Sequence, residues 1–145
     1  MENNHKYLIM ERIENIEAAY RGVIDGMRRA GYQILDVLPI NEGRYVIVKA
    51  KPENVMIVFK RDFFNSFCKM FEHLGERGVG ESVNRADLKY AVSVGVTRLF
   101  SVFPNGVVYT ISVEDFLNNA HLWKNSQSRE VYSINISHYK RVFEL

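Results

Sequence analysis

Five cationic side chains of this sequence are placed where they would bind phosphate. Four of them end two segments rich in valine and isoleucine, and the fifth follows later; they are Lys49, Lys51, Lys60, Arg61 and Arg85. Lysine and arginine bind phosphate oxygens with an affinity that falls as salt rises and that does not depend on base sequence. We therefore predict that these residues contact DNA. The alternative is that they are the solvated ends of strands.

The other motifs that could support chemistry are incomplete. Residues 75–82 follow the phosphate-loop pattern GxxxxGK[ST], but Glu81 replaces the lysine and would repel phosphate. The four histidines lack the i, i+4 spacing and the paired cysteines of a zinc site. Cys68 lies beside a phenylalanine stripe and is interpreted as a packing thiol. Trp123 differs from the aromatic residues expected in the core, because it lies near a polar loop and next to Lys124.

Hydrophobic spacing predicts the elements that position these residues in the first half of the chain. Apolar residues three or four apart predict a helix over residues 9–30 that ends at Gly31. Gly22 and Gly26 lie within it and indicate the close approach of another element. Pro39 is expected to end the first strand of an antiparallel meander, and the third strand is expected to be buried on both faces. The three predicted strands are residues 32–38, 45–50 and 55–60.

Helix-start signals and turns predict the elements of the second half. A phenylalanine stripe predicts a helix from Asp62 to Leu74, followed by a glycine-rich break. Asn84-Arg-Ala-Asp87 is typical of a capping box that opens a further helix, which Gly95 closes. The remaining predicted features are strands at 97–103 and 107–111, a helix start at 112–115, a polar loop at 125–129 and an edge strand at 131–136.

The bulk composition favours one globular domain over residues 1–145. Hydrophobic residues make up 47% of the chain and aromatic residues 12%, which excludes a disordered chain. The 19 Lys and Arg residues and 17 Asp and Glu residues give a net charge of +2, too small to indicate a nucleic-acid or membrane protein by field strength alone. No apolar run approaches the ~18 residues of a membrane span, and one cysteine fits a reducing compartment. A cytoplasmic protein without a membrane partner is therefore predicted.

The order helix, three-strand meander, helix and strand, with Lys60 at the end of the third strand, resembles the core of the PD-(D/E)XK nuclease superfamily. That superfamily includes Holliday-junction resolvases and many restriction enzymes, and the resemblance covers about residues 9–103. It implies an α/β (or α+β) fold with a restriction-endonuclease-like core, a mixed central sheet and flanking helices. The superfamily holds Mg²⁺ with an acid on the second strand and a Glu-x-Lys or Asp-x-Lys on the third, and the lysine helps to activate water.

This chain departs from the superfamily at its metal ligands. Val58-Phe59-Lys60 occupies the Glu-x-Lys position, and Tyr45 or Val46 occupies the matching place on the second strand. Because valine has no oxygen ligand for Mg²⁺, the resemblance implies a nuclease-like DNA-binding or assembly protein that has lost metal-dependent catalysis and needs no cofactor.

Two alternatives remain open, together with a homodimer that is expected by analogy. In the first, the chain is an active Mg²⁺-dependent endonuclease in which Lys60 acts with the displaced carboxylates of Asp36 and Glu42. In the second, the chain is a protein-interaction module without a nucleic-acid role, and its aromatic-rich helices form the contact surface.

Overall fold

The structure is a computed structural model that describes residues 13–59, 80–103 and 106–145. Within these ranges the chain forms three α-helices and nine strands. In chain order they are α1 Ile13–Arg29, β1 Gln33–Ile40, β2 Tyr45–Lys51, β3 Asn54–Phe59, β4 Gly80–Asn84, α2 Arg85–Ser93, β5 Val96–Val102, β6 Val107–Ser112, α3 Val113–Asn119, β7 His121–Lys124, β8 Glu130–Asn135 and β9 Lys140–Glu144. A short 3₁₀ helix, Ile136–His138, separates β8 from β9.

The strands form two sheets. The larger sheet has the order β1-β2-β3-β5-β6-β9, and its neighbours are antiparallel except for the parallel pair β3 and β5. The smaller sheet is antiparallel, with the order β4-β8-β7. The class is therefore mixed α/β with a mixed central sheet, as predicted. The predicted first helix, antiparallel meander, later helix and following strand are all present within the described residues, but β4 intervenes between the meander and the later helix.

The larger sheet is covered on both faces. On one face, Val23, Ile24 and Met27 of α1 belong to the same buried cluster as residues of β2, β3, β5 and β6. On the other face, α2, α3 and the smaller sheet contribute to a second buried cluster, for example through Leu88 and Phe116. Since β3 lies in the middle of the sheet, its residues are buried on both faces, which confirms the prediction for the third strand.

The C-terminal residues of the chain pack against the two glycines of α1. A Cβ atom built on Gly26 would overlap the ring of Phe143, and one on Gly22 would lie 3.1 Å from the Leu145 side chain. The predicted close approach of another element to this helix is thus confirmed. Gly31 adopts φ +99 after the last turn, a conformation that favours glycine, and ends the helix where the sequence predicts.

Several strand predictions are wrong in informative ways. Pro39 does not end β1 but pairs with Val46, because β1 is an edge strand and tolerates a residue without an N–H. The strand expected at an edge near residues 131–136 lies between β4 and β7 instead. Strands β4, β7 and β9 are short or polar, so their local sequence gives little indication of a strand. The helix predicted from Asp62 to Leu74 lies outside the described residues, as does the break up to residue 79.

Among the described residues, no helix is both long enough and apolar enough to cross a membrane. The cytoplasmic location stays a prediction.

Candidate functional site

The pair of residues at which the resemblance would place metal ligands is buried in the core. Tyr45 on β2 is the direct partner of Val58 on β3. Their exposed fractions are 0% and 2%, and both belong to the cluster beneath α2 and the smaller sheet. A valine methyl group cannot bind a metal ion. The Tyr45 hydroxyl accepts a hydrogen bond from the Asn84 N–H at 3.0 Å, so it is committed to the start of α2.

The two carboxylates proposed as substitutes do not converge at this position. Asp36 pairs with Lys49, four residues along β2 from Tyr45, which is roughly 13 Å at about 3.3 Å per residue. Its carboxylate accepts the Val37 N–H at 2.8 Å. Glu42 lies in the β1–β2 turn with φ 56. Lys60 lies outside the described residues. Within the described ranges, no group of three His, Cys, Asp or Glu residues is arranged to hold a metal.

A buried polar cluster lies beside the Tyr45–Val58 pair. Ser101 on β5 is the next partner of Val58 across the sheet and is 0% exposed, while Glu81 on β4 is 3% exposed. Tyr139 follows the 3₁₀ helix and is also buried. Burial raises the pKa of Tyr139 well above its ordinary value, and the nearby charge of Glu81 raises it further. The sequence pattern makes Glu81 a departure from a phosphate loop, but the residue lies in a strand and faces the interior.

The start of α2 is held by hydrogen bonds from three directions. The Asn84 side chain caps the helix and accepts from the N–H groups of Ala86 at 2.9 Å and Asp87 at 3.3 Å. The capping box predicted from the sequence is only half correct, because the Asn84 N–H donates to Tyr45 rather than to Asp87. The Asp87 carboxylate instead accepts from the Asn41 amide at 2.8 Å. This bond ties the β1–β2 turn to the helix.

A cleft of about 630 Å³ opens at this end of α2, and we call it the α2 cleft. It lies between the β1–β2 turn, the first turn of α2 and the turn that joins β7 to β8. Its lining is polar and contains both charge signs; it consists of Asn41, Asn84, Arg85, Ala86, Asp87, Lys89, Arg129 and Glu130.

Cations slightly outnumber anions in the α2 cleft. Its lining has three cations and two anions, so the balance is 3 − 2 = +1. Arg85 pairs with Glu130 at 2.8 Å, with both side chains almost half exposed. The side chains of Lys89 and Arg129 are exposed and make no ion pair in the part of the chain that the structure describes. They are available to an anionic ligand.

The structure separates the residues predicted to bind DNA. The Lys49 ammonium donates to the Val94 carbonyl at 2.8 Å and so caps the C-terminal end of α2. Lys51 is exposed at the end of β2. Arg85 lies at the opposite end of α2, whose 9 residues span roughly 13 Å at about 1.5 Å per residue. Lys60 and Arg61 lie outside the described residues. Arg85 and the Lys49 ammonium therefore lie at opposite ends of α2.

Sequence reasoning missed the residues that surround Arg85 in the α2 cleft. Lys89 follows Arg85 by one helical turn, a spacing that could have been read from the predicted helix. Arg129 ends the predicted polar loop, but only the pairing of β4 with β8 brings that loop to α2. That pairing joins segments far apart in the chain and leaves no local signal.

In comparisons with known proteins, no family model matches the chain, and neither a curated protein nor a solved structure matches it significantly.

Proposed function

We propose that this chain is a nuclease-like domain without metal-dependent catalysis, and that it binds DNA through the α2 cleft. The observation that carries the proposal is the convergence of Arg85, Lys89 and Arg129 on one cleft. The cleft adjoins the buried Tyr45, which stands where the resemblance would require an acid.

The apolar side chain of Val58 and the hydrogen bond that commits Tyr45 to α2 support binding rather than cleavage. Val58 and Tyr45 are buried in contact with the core, so a substituted acid would have to displace well-packed side chains. The order of elements supports the nuclease-like interpretation of the fold, which stays a proposal. Cationic side chains at exposed positions supply salt-dependent affinity for phosphate without base-specific contacts.

Fluorescence anisotropy with labelled DNA tests this function. The full chain is expected to bind at about 50 mM salt and to lose affinity steeply toward about 200 mM. Replacing both Lys89 and Arg129 with glutamine should reduce the slope of log affinity against log salt by about 1 for each phosphate that these side chains neutralise. The matched control is Arg29→Gln, because Arg29 is an exposed cation of α1, on the opposite side of the larger sheet.

Three results would count against the proposal. Absence of binding at low salt would rule out the DNA function. An unchanged slope in the Lys89 and Arg129 variant would exclude the α2 cleft as the binding surface. Cleavage of supercoiled or branched DNA with Mg²⁺ or Mn²⁺ would show that the domain has retained catalysis; loss of that cleavage in Asp36→Ala or Glu42→Ala would assign it to the displaced carboxylates.

An apolar groove favours a second candidate function, self-association as a protein-interaction module. The groove is about 210 Å³ and lies between α2, α3 and β8. Val92 and Leu117 line it and are each 44% exposed. Clustered exposed apolar side chains are typical of interaction surfaces, and a second copy of the chain is the partner proposed here. Light scattering should then give a dimer mass that Leu117→Glu reduces to the monomer mass; a monomer mass for the unmodified chain would exclude this function.

A further inference from the structure

The edge strand β7 presents one large aromatic ring to solvent. Trp123 is 42% exposed, and all four residues of β7 are exposed. The indole N–H donates to the Ser133 hydroxyl at 2.6 Å, which satisfies its polar group and fixes the ring on β8. Trp123 is paired directly across the strands with Val131, which is 9% exposed. Val131 and Ser133 lie on the same face of the smaller sheet as the indole. The ring is therefore held in place while much of its surface remains accessible.

The register of the smaller sheet relates this ring to the α2 cleft. Val131 is paired on one side with Trp123 and on the other side with Asn84, which lines the cleft. Partners in a sheet share a face, and two strand spacings of about 4.8 Å place the two outer Cα atoms roughly 10 Å apart. One nucleic-acid strand of a few nucleotides is long enough to reach from the ring to the cleft.

The charges along this path suit a phosphate backbone. Arg129 lies in the turn that joins β7 to β8 and lines the α2 cleft, whereas Lys124 directly follows Trp123 and, because side chains alternate along a strand, lies on the opposite face of the smaller sheet. The acid on this path, Glu130, is paired with Arg85. A strand whose base lies on the indole would therefore have its phosphates near Arg129.

We propose that Trp123 is a base-stacking residue, so that the ligand of this surface is single-stranded rather than duplex DNA. This inference rests on the proposed function, because the α2 cleft supplies the phosphate contacts. A flat indole binds the face of an unstacked base, whereas in a duplex both faces of each base are already covered by neighbouring bases. Stacking of this kind tolerates any base sequence, since every base has a π face.

The intrinsic fluorescence of the chain tests the inference without any substitution. Trp123 is the single tryptophan of the sequence, so its emission reports on this position alone. Titration with a labelled oligothymidine of about 12 nucleotides, within the range of single-strand site sizes, should quench the emission in step with the rise in anisotropy. A duplex of the same length should bind more weakly and leave the emission unchanged.

Substitutions measure the size of the effect. Trp123→Ala should weaken oligothymidine binding by roughly 5-fold to 150-fold, and Trp123→Phe, which keeps an aromatic face, should weaken it less. The matched control is Leu122→Ala, because Leu122 is an exposed apolar residue of the same strand whose side chain points to the other face. Circular dichroism of each variant checks that the fold is retained.

The possible outcomes separate the two proposals. DNA binding that leaves the Trp123 emission unchanged, with equal affinity for single strands and duplex, would overturn the stacking inference while the proposed function stands. Absence of binding to either form of DNA would overturn the proposed function and the inference with it. Quenching together with a preference for single strands would support both.

Discussion

Strand β3 and strand β7 show how differently two parts of this molecule use apolar side chains. In β3, Val55 to Phe59 are at most 5% exposed, because α1 covers one face of the larger sheet and α2, α3 and the smaller sheet cover the other. In β7, at the edge of the smaller sheet, Leu122 and Trp123 are 37% and 42% exposed. Burial of apolar area stabilises the fold at β3, whereas the same kind of side chain at β7 remains available to a ligand.

The comparison separates two roles that the resemblance to nucleases would place together. In such an enzyme the centre of the meander would hold a metal as well as support the fold. Here Tyr45 and Val58 are buried in the core, and the accessible residues Lys89, Arg129 and Trp123 lie around the smaller sheet and α2. Substitutions that add charge should therefore destabilise the fold much more in β3 than in β7.

The largest expected effect comes from placing a carboxylate in the meander. Val58→Glu should lower the free energy of unfolding by more than about 3 kcal/mol, because the new acid would lie in a site that is 2% exposed and within a cluster of buried apolar side chains. Leu122→Glu on β7 should cost only about 0.5 to 1 kcal/mol. Urea denaturation measures both. Equal reductions in the two variants would contradict the contrast between the strands.

An intermediate effect is expected at high pH from Tyr139, which lies between β8 of the smaller sheet and β9 of the larger one. Its pKa is raised in the folded chain, first by burial and then by the charge of Glu81, so the unfolded chain loses this proton first. The contribution of Tyr139 to stability is therefore complete below about pH 10 and declines above it, by up to about 1.4 kcal/mol per pH unit.

Tyr139→Phe removes this proton and should flatten the decline in the free energy of unfolding above about pH 10. Urea denaturation at several alkaline pH values measures the slope, with Tyr90→Phe at an exposed position of α2 as the control. An unchanged slope in Tyr139→Phe, or an equal change in Tyr90→Phe, would assign the alkaline instability to other residues.

The smallest effect on stability is expected at the Arg85–Glu130 ion pair. Both side chains are more than 40% exposed, so Glu130→Gln should cost less than about 1 kcal/mol. The same change releases Arg85 and raises the charge of the α2 cleft, so it should increase DNA affinity a few fold at low salt. Anisotropy titration measures this gain, with Glu114→Gln at an exposed position of α3 as the control. A decrease in affinity would indicate that the ion pair positions Arg85 for binding.

The sequence predicts the elements whose signals are local. The end of α1 at Gly31 and the caps of α2 and α3 by Asn84 and Ser112 can be located because each depends on a few neighbouring residues. The hairpin of β2 and β3 is clear for the same reason, since its runs of valine and isoleucine are joined by a short turn.

The elements that cannot be predicted from local sequence form by pairing with strands that are distant in the chain. Strand β4 pairs with β8, and β9 pairs with β6, across long stretches of chain, and their own residues are mostly polar or charged. The same long-range pairing assembles the α2 cleft. Arg85 can be named as a candidate from its sequence position, but Arg129 becomes its neighbour only when β4 and β8 pair. The contact of the Lys49 ammonium group with the end of α2 likewise joins segments far apart in the chain and has no local signal, and DNA contact by Lys49 stays a prediction.

The contact between α1 and β9 has a consequence for biosynthesis. The ring that packs against Gly26 belongs to Phe143, which the ribosome adds 117 residues after Gly26. At about 5 to 20 residues per second, the interval is roughly 6 to 23 seconds. During that time β9 cannot cover the glycine face of α1, and a translational pause before β9 would lengthen this period.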